Sequence, residues 1–196
     1  MDAFLASTLA VAIAEIGDKT QLLSLFLICR YSKRLPIIMG IVVATLLNHA
    51  LSALLGAWLA KVIPADWLPW ILAASFIAIA LWLLIPDKDD SEDAGLLRFG
   101  AFTATTLMFF IAEIGDKTQI ATVVLAARYD ATSLVILGTT VGMLLANVPV
   151  IVAGKWLMDR LPLATARLVA CGLFILLGII TLWTALNGSA GALLNY

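Results

Sequence analysis

The chain has 196 residues, of which 63% are hydrophobic and 13% charged, and its net charge is −1. A soluble domain carries roughly 25% charged residues, so the composition excludes an ordinary water-soluble globule. The lack of a basic stripe argues against a nucleic-acid partner. Cys29 and Cys171 have no pairing or ligand spacing, which argues against a disulfide framework or a thiolate metal site; they read as small core residues.

The first predicted span covers residues 3–29. It is not a cleavable signal peptide, because Asp2 stands where a positive region belongs and Glu15, Asp18 and Lys19 interrupt the apolar run. Further spans are predicted at 36–60, 67–86, 99–127, 133–157 and 165–187. Ile37 to Ala60 and Leu168 to Tyr196 hold no Asp, Glu, Lys or Arg, and runs of about 20 apolar residues are transmembrane candidates. Breaks are expected at Ser32-Lys33-Arg34, Ile63-Pro64-Ala65-Asp66, the acidic run Asp87 to Asp93, Tyr129-Asp130 and Asp159-Arg160-Leu161-Pro162. Trp58, Trp67, Trp70, Trp82, Trp156 and Trp183 lie near span ends, the interfacial aromatic pattern. The predicted fold class is an all-α membrane protein of six transmembrane helices.

The octapeptide Ala14 to Gln21, AEIGDKTQ, recurs letter for letter as Ala112 to Gln119. Aligned without gaps at an offset of 98, residues 8–64 match 106–162 at 23 of 57 positions. Arg30-Tyr31, Gly40, Leu46-Leu47, Gly56, Trp58 and Pro64 all recur. The chain therefore divides into a first three-helix repeat, 1–86, an acidic linker, 87–98, and a second repeat, 99–196. An odd number of spans per repeat inverts the second copy in the bilayer, and inverted repeats are a transporter architecture with a site near the midplane.

Lys and Arg set the orientation. Arg30, Lys33, Arg34, Lys88, Arg98, Lys155, Arg160 and Arg167 fall on one side, and Lys61 and Arg128 on the other. The richer side is expected to be cytoplasmic. Both termini then face outward, and the linker, read as a solvated connector, lies inside.

Charges at membrane depth mark function. On a continuous first helix, Glu15 and Asp18 share a face, with Lys19 beside them and Gln21 at its edge. Gly17 either lets another backbone approach or lets the helix unwind. Glu113, Gly115, Asp116, Lys117 and Gln119 repeat the pattern. Together the two faces offer four carboxylates, two amides and the hydroxyls of Thr20 and Thr118. Such hard oxygen sets suit Mg²⁺, Ca²⁺ and Mn²⁺ rather than Zn²⁺ or Cu⁺. The expected metal residues are Glu15, Asp18, Gln21, Glu113, Asp116 and Gln119, with Lys19, Thr20, Lys117 and Thr118 in support. A Glu15–Lys19 intrahelical ion pair that merely locks helices is the structural alternative. With every group ionised, the two motifs sum to −2. One divalent cation or two protons would neutralise that, and crowded carboxylates take up protons readily. Asn48 and His49 in the second span and Asn147 in the fifth lie at similar depth. They serve the site, or a proton relay, or act as interhelical hydrogen-bond glue. Pro149 is expected to kink the fifth span.

With its two Glu-Ile-Gly-Asp-Lys-Thr copies, the chain resembles the membrane family defined by a duplicated E-x-G-D-(K/R)-(T/S) motif, the second family of calcium/cation antiporters. The resemblance covers nearly the whole chain. It implies transport of Mn²⁺ or Ca²⁺ in exchange for protons, with the motif acids mapping onto Glu15, Asp18, Glu113 and Asp116. Bacterial members similar to this chain are associated with manganese export, which implies the bacterial cytoplasmic membrane. The expected function is thus a secondary transporter, not an enzyme, with no prosthetic group, carrying a divalent cation outward against protons. The alternatives are a passive cation channel, a small-solute exporter and an intramembrane aspartyl protease; the last lacks the Gly-x-Gly-Asp pattern, since position 15 is Glu. Oligomeric state is left open by the sequence.

Overall fold

The computed structural model describes residues 1–85, 94–158 and 163–193. The acidic run Asp87 to Asp93, the expected break at 159–162 and Tyr196 lie outside the described residues. All regular elements among those residues are helical. They are α1 (Asp2–Ala14), α2 (Lys19–Tyr31), α3 (Arg34–Val62), α4 (Leu68–Leu83), a 3₁₀ turn (Ala94–Arg98), α5 (Ala101–Glu113), α6 (Lys117–Arg128), α7 (Thr132–Ala153), the short α8 (Lys155–Met158) and α9 (Leu163–Leu193).

Two expected spans are not single helices. The segment read as one helix over 3–29 breaks into α1 and α2, and 99–127 breaks into α5 and α6. Glycine at left-handed φ causes both interruptions, +84° at Gly17 and +75° at Gly115, a conformation other residues adopt only with strain. Of the two readings of Gly17, unwinding is the one observed. Each half-helix is 12 or 13 residues, or roughly 20 Å at 1.5 Å per residue, shorter than a bilayer core of about 30 Å. Among the described residues three segments are long and apolar enough to cross alone: Arg34–Val62, Thr132–Ala153 and Ala164–Asn187. The fifth predicted span also ends early: α7 carries Pro149 within it and stops at Ala153, where Gly154 turns to φ +61°.

The repeats exchange partners. The first helix of each packs against the long helix of the other, α1 on α7 and α5 on α3. Small residues make this possible. A Cβ at Gly138 would lie 2.6 Å from the Phe4 carbonyl oxygen, and one at Gly142 would lie 2.7 Å from that of Thr8. Across the other pair, a Cβ at Gly40 would lie 2.9 Å from the Phe102 oxygen. Gly40 and Gly138, and Phe4 and Phe102, are both separated by the repeat offset, so one packing solution is used twice. In lipid such close approach, rather than water exclusion, drives helix association. Helices α4 and α9 pair with each other, and the rings of Phe76 and Phe174, again 98 apart, meet at 6.2 Å. The outer faces are apolar: Leu51, Leu54, Leu81, Leu168, Leu176 and Ile179 are exposed, as are all six tryptophans. An apolar exterior of this extent suits lipid rather than water.

Gly138→Leu or Gly142→Leu should push α1 from α7 and reduce the yield of monodisperse protein severely, since over-packing costs about 1–3 kcal/mol even where neighbours can yield. Gly172→Leu, at a position where a Cβ meets nothing within 4 Å, should behave as wild type. Thermal unfolding followed by size-exclusion chromatography checks both.

Candidate functional site

Both copies of the octapeptide fold into the same device. Glu15 caps the C-terminus of α1, and Glu113 is the last residue of α5. After the positive-φ glycine, Asp18 and Asp116 are the N-cap residues of α2 and α6, in extended backbone. Asp is a favoured N-cap residue, and Lys, a good helix former, begins each new helix. Four residues beyond each glycine a glutamine reaches back. Its side-chain oxygen accepts the Gly17 N–H at 2.8 Å in one copy and the Gly115 N–H at 2.7 Å in the other. Backbone released from a helix needs such a partner wherever water does not reach it. The sequence reading put Gln21 and Gln119 among the ligands; the structure places their oxygens on these backbone N–H groups. Gln21 also donates from Nε2 to the Ala146 carbonyl of α7, at 2.9 Å.

Glu15, Glu113 and Asp116 offer carboxylate oxygens that all lie within 4.8 Å of one another, and all three residues are buried. The triad draws on both repeats. Asp18, also buried, stands outside it. Thr20 donates its hydroxyl to Glu15 Oε2. The Thr118 hydroxyl lies 3.1 Å from Glu113 Oε2 and 3.2 Å from Asp116 Oδ2. The second oxygens, Glu15 Oε1 and Glu113 Oε1, are buried with no hydrogen-bond partner among the described residues. Buried oxygens of this kind are rare and call for an occupant or a second arrangement. Both glutamates stand at helix C-termini, the negative ends of the dipoles, where a cation is stabilised by backbone and carboxylate together.

The Glu15–Lys19 intrahelical pair, the structural alternative, is not formed. Lys19 Nζ lies 3.2 Å from Asp116 Oδ1, across the repeats. Lys117, buried, donates to the Ile85 carbonyl at 2.7 Å. The break in the helix is the reason: it turns position 19 away from position 15.

Asn48, His49 and Asn147 of the long helices are fully or almost fully buried, and the two asparagines join helices. Asn48 donates to the Phe110 carbonyl of α5 at 3.0 Å, one turn before Glu113. The Asn147 side-chain oxygen accepts from Ser24 of α2 at 2.8 Å, and its Nδ2 donates to the Met143 carbonyl at 3.1 Å. His49 has neither ring nitrogen hydrogen-bonded among the described residues. Sequence reasoning missed Ser24 and the carbonyls of Ala146 and Ile85. Ser24 left a faint signal, a hydroxyl at the place where the second repeat has Thr122; the carbonyls left none.

The sequence profile of the family described as "Divalent cation/proton antiporter GDT1" matches twice, over residues 3–91 and 101–189. A protein of Vibrio cholerae described as "Putative manganese exporter" is 54% identical over 182 residues, covering 92% of this chain and 90% of its own. A GDT1-like protein of Synechocystis is 28% identical over 205 residues, with coverage of 94% and 98%. GDT1-like protein 5 of Arabidopsis thaliana is 25% identical over 225 residues, with coverage of 95% and 98%. No solved structure matches. Two profile matches spanning most of the chain, one in each repeat, settle the lineage: this is a duplicated-domain member of the GDT1 family of divalent cation/proton antiporters, a transporter and not an enzyme.

Proposed function

We propose that the chain exports Mn²⁺ from the cytoplasm in exchange for protons, by alternating access to one site built from both octapeptides. The observation that carries this reading is the buried triad Glu15, Glu113 and Asp116, with two carboxylate oxygens that have no hydrogen-bond partner among the described residues. Hard oxygens at this density suit a divalent cation of the Mn²⁺, Ca²⁺ or Mg²⁺ kind. The description of the Vibrio cholerae relative favours manganese; Ca²⁺ is the second reading, because an oxygen shell accepts it equally. Asp18 joins the shell in part of the cycle. Gln21 and Gln119 hold the unwound backbone in shape, and Thr20 and Thr118 orient the glutamates. Lys19 balances Asp116 when the cation is absent, and Lys117 tethers the start of α6.

In this reading each broken pair, α1 with α2 and α5 with α6, crosses the membrane once, giving six spans in two inverted repeats, 1–86 and 99–196. The contact of Phe76 with its own counterpart Phe174 supports a two-fold relation between them. The bias of Lys and Arg favours both termini outside and the 87–98 linker inside, and the bacterial relative favours the bacterial cytoplasmic membrane. In a chain freed of Cys29 and Cys171, an impermeant thiol reagent added outside should label Asp2→Cys and spare Ser91→Cys. The reverse pattern would overturn the orientation.

Protons complete the cycle. When the cation leaves outward, the carboxylates are uncompensated in a low dielectric and are neutralised from outside; on the inner side metal displaces those protons. Glu15→Gln, Glu113→Gln and Asp116→Asn should each lower Mn²⁺ efflux from proteoliposomes at least about tenfold, the equivalent of about 1.4 kcal/mol. Two of the three keeping wild-type efflux would remove the triad from the mechanism.

Coupling has its own signature. Acidifying the outer face should speed metal export, and acidifying the inner face should slow it, because protons then hold the loading site. Metal and internal pH followed together, with Mn²⁺, Ca²⁺ and Mg²⁺ compared, check this and the selectivity. Metal flux at unchanged rate without proton counterflow, over roughly two pH units, would establish a channel instead.

A further inference from the structure

The repeats are alike in sequence but do not hold their partners alike. On α2, Gln21 donates to the Ala146 carbonyl of α7 and Ser24 donates to the Asn147 side-chain oxygen, at 2.9 and 2.8 Å. The residues 98 positions away are Gln119 and Thr122 on α6, and Asn48 and His49 on α3. There the pattern differs. Thr122 turns its hydroxyl back to the Thr118 carbonyl of its own helix, at 2.8 Å. The Asn48 carbonyl accepts from Ser52 of its own helix, at 2.8 Å. His49, with zero exposure, has neither ring nitrogen bonded among the described residues.

Packing is unequal in the opposite sense. Gly56 of α3 lies so close to α6 that a Cβ there would collide with the Val123 backbone, and Ala126 closes the same seam. Its counterpart on α7 is Gly154, which ends that helix and where a Cβ would meet nothing within 4 Å. So α2 and α7 are bonded at mid-depth and apart at Gly154. Helices α3 and α6 are packed at Gly56 and unbonded at mid-depth.

A buried imidazole with both nitrogens unmet is costly. The cost has a purpose if a second arrangement of the same chain uses the ring. Alternating access between inverted repeats requires such an arrangement, in which each repeat takes up the relation the other now has. Resting on the transporter reading above, we infer that Ser24–Asn147 and Thr122–His49 are alternative latches of the transport cycle, one made in the conformation described and the other in the opposite-facing one. In the exchange, Thr122 swings its hydroxyl from the Thr118 carbonyl to a bare ring nitrogen of His49 as α6 leaves Gly56. Ser24 gives up Asn147 as α2 closes on Gly154. His49 acts here as a positioning residue and not as a cation ligand. One interhelical hydrogen bond is traded for another, which keeps the two states close in free energy, as repeated cycling needs.

The test reads conformation and not transport. In a chain with Cys29 and Cys171 replaced by Ser, Ala126→Cys places a thiol in the α3–α6 seam, which is sealed in this structure. The labelling rate of the purified, metal-free protein by a maleimide reports how often the seam opens. Ser24→Ala removes the latch of the present state and should raise the rate about threefold, the size of one interhelical hydrogen bond in a bilayer. Thr122→Val and His49→Leu remove the opposite latch and should lower it by a similar factor. Thr122→Ser should restore the wild-type rate, and so should His49→Asn, which copies the residue at 147. If His49→Leu does not fold, Thr122→Val and Thr122→Ser carry the comparison. Shifts of the same sign in Ser24→Ala and Thr122→Val, or no shift in either, overturn the latches. Opposite shifts in a protein that moves no metal would uphold them and remove the cation reading. Normal metal–proton exchange without any shift would do the reverse.

Discussion

Placing carboxylates far from water is the constraint on which this molecule turns. An unbroken helix would carry Glu15 and Asp18 as like charges one turn apart on a single face, with no backbone group able to help either. The observed chain separates them by interrupting the helix. Asp18 and Asp116 go to helix N-termini, where the backbone dipole favours negative charge. Glu15 and Glu113 go to C-termini, where it does not. The aspartates are thus supported by the backbone dipole, while the glutamates are opposed by it. For the transport proposed above, which requires release of what is bound, this division serves better than four equally stabilised anions.

The interruptions set the demands on everything around them. Unwound backbone must be satisfied within the protein, and Gln21 and Gln119 do this from the first turn of the following helix. Half-helices too short to cross alone must be held by longer ones, so α1 lies along α7 and α5 along α3, each at glycine-to-backbone distance. The polar residues of the long helices follow from the same need. Asn48 and Asn147 grip the elements that carry the carboxylates, and in doing so fix where the half-helix ends point.

Much of this was legible in the sequence, and the remainder was hidden for definite reasons. The duplication, the offset of 98 and the polar residues at depth are visible as letters. The helical class follows from apolar runs that no strand arrangement of this length explains. The two breaks were legible only as one of two readings of the motif glycine. In lipid a helix is apolar on most faces, so no amphipathic period exists whose phase would slip at Gly17 or Gly115, and glycine serves close packing as readily as unwinding. The partner of Lys19 was hidden as well. Spacing along one helix points to Glu15, whereas the real partner, Asp116, is brought in by the other repeat. The different surroundings of Asn147 and His49, at equivalent positions, belong to conformation and could not be written in either residue alone.

The exchange of partners between the repeats also determines how the protein comes apart. Among the described residues neither repeat holds a core of its own, since the seat of each first helix belongs to the other half. The two halves are related as the arms of a swapped dimer that happens to share one backbone. Unfolding should therefore be a single cooperative event rather than the loss of one half at a time, and damage to either half will register as loss of both.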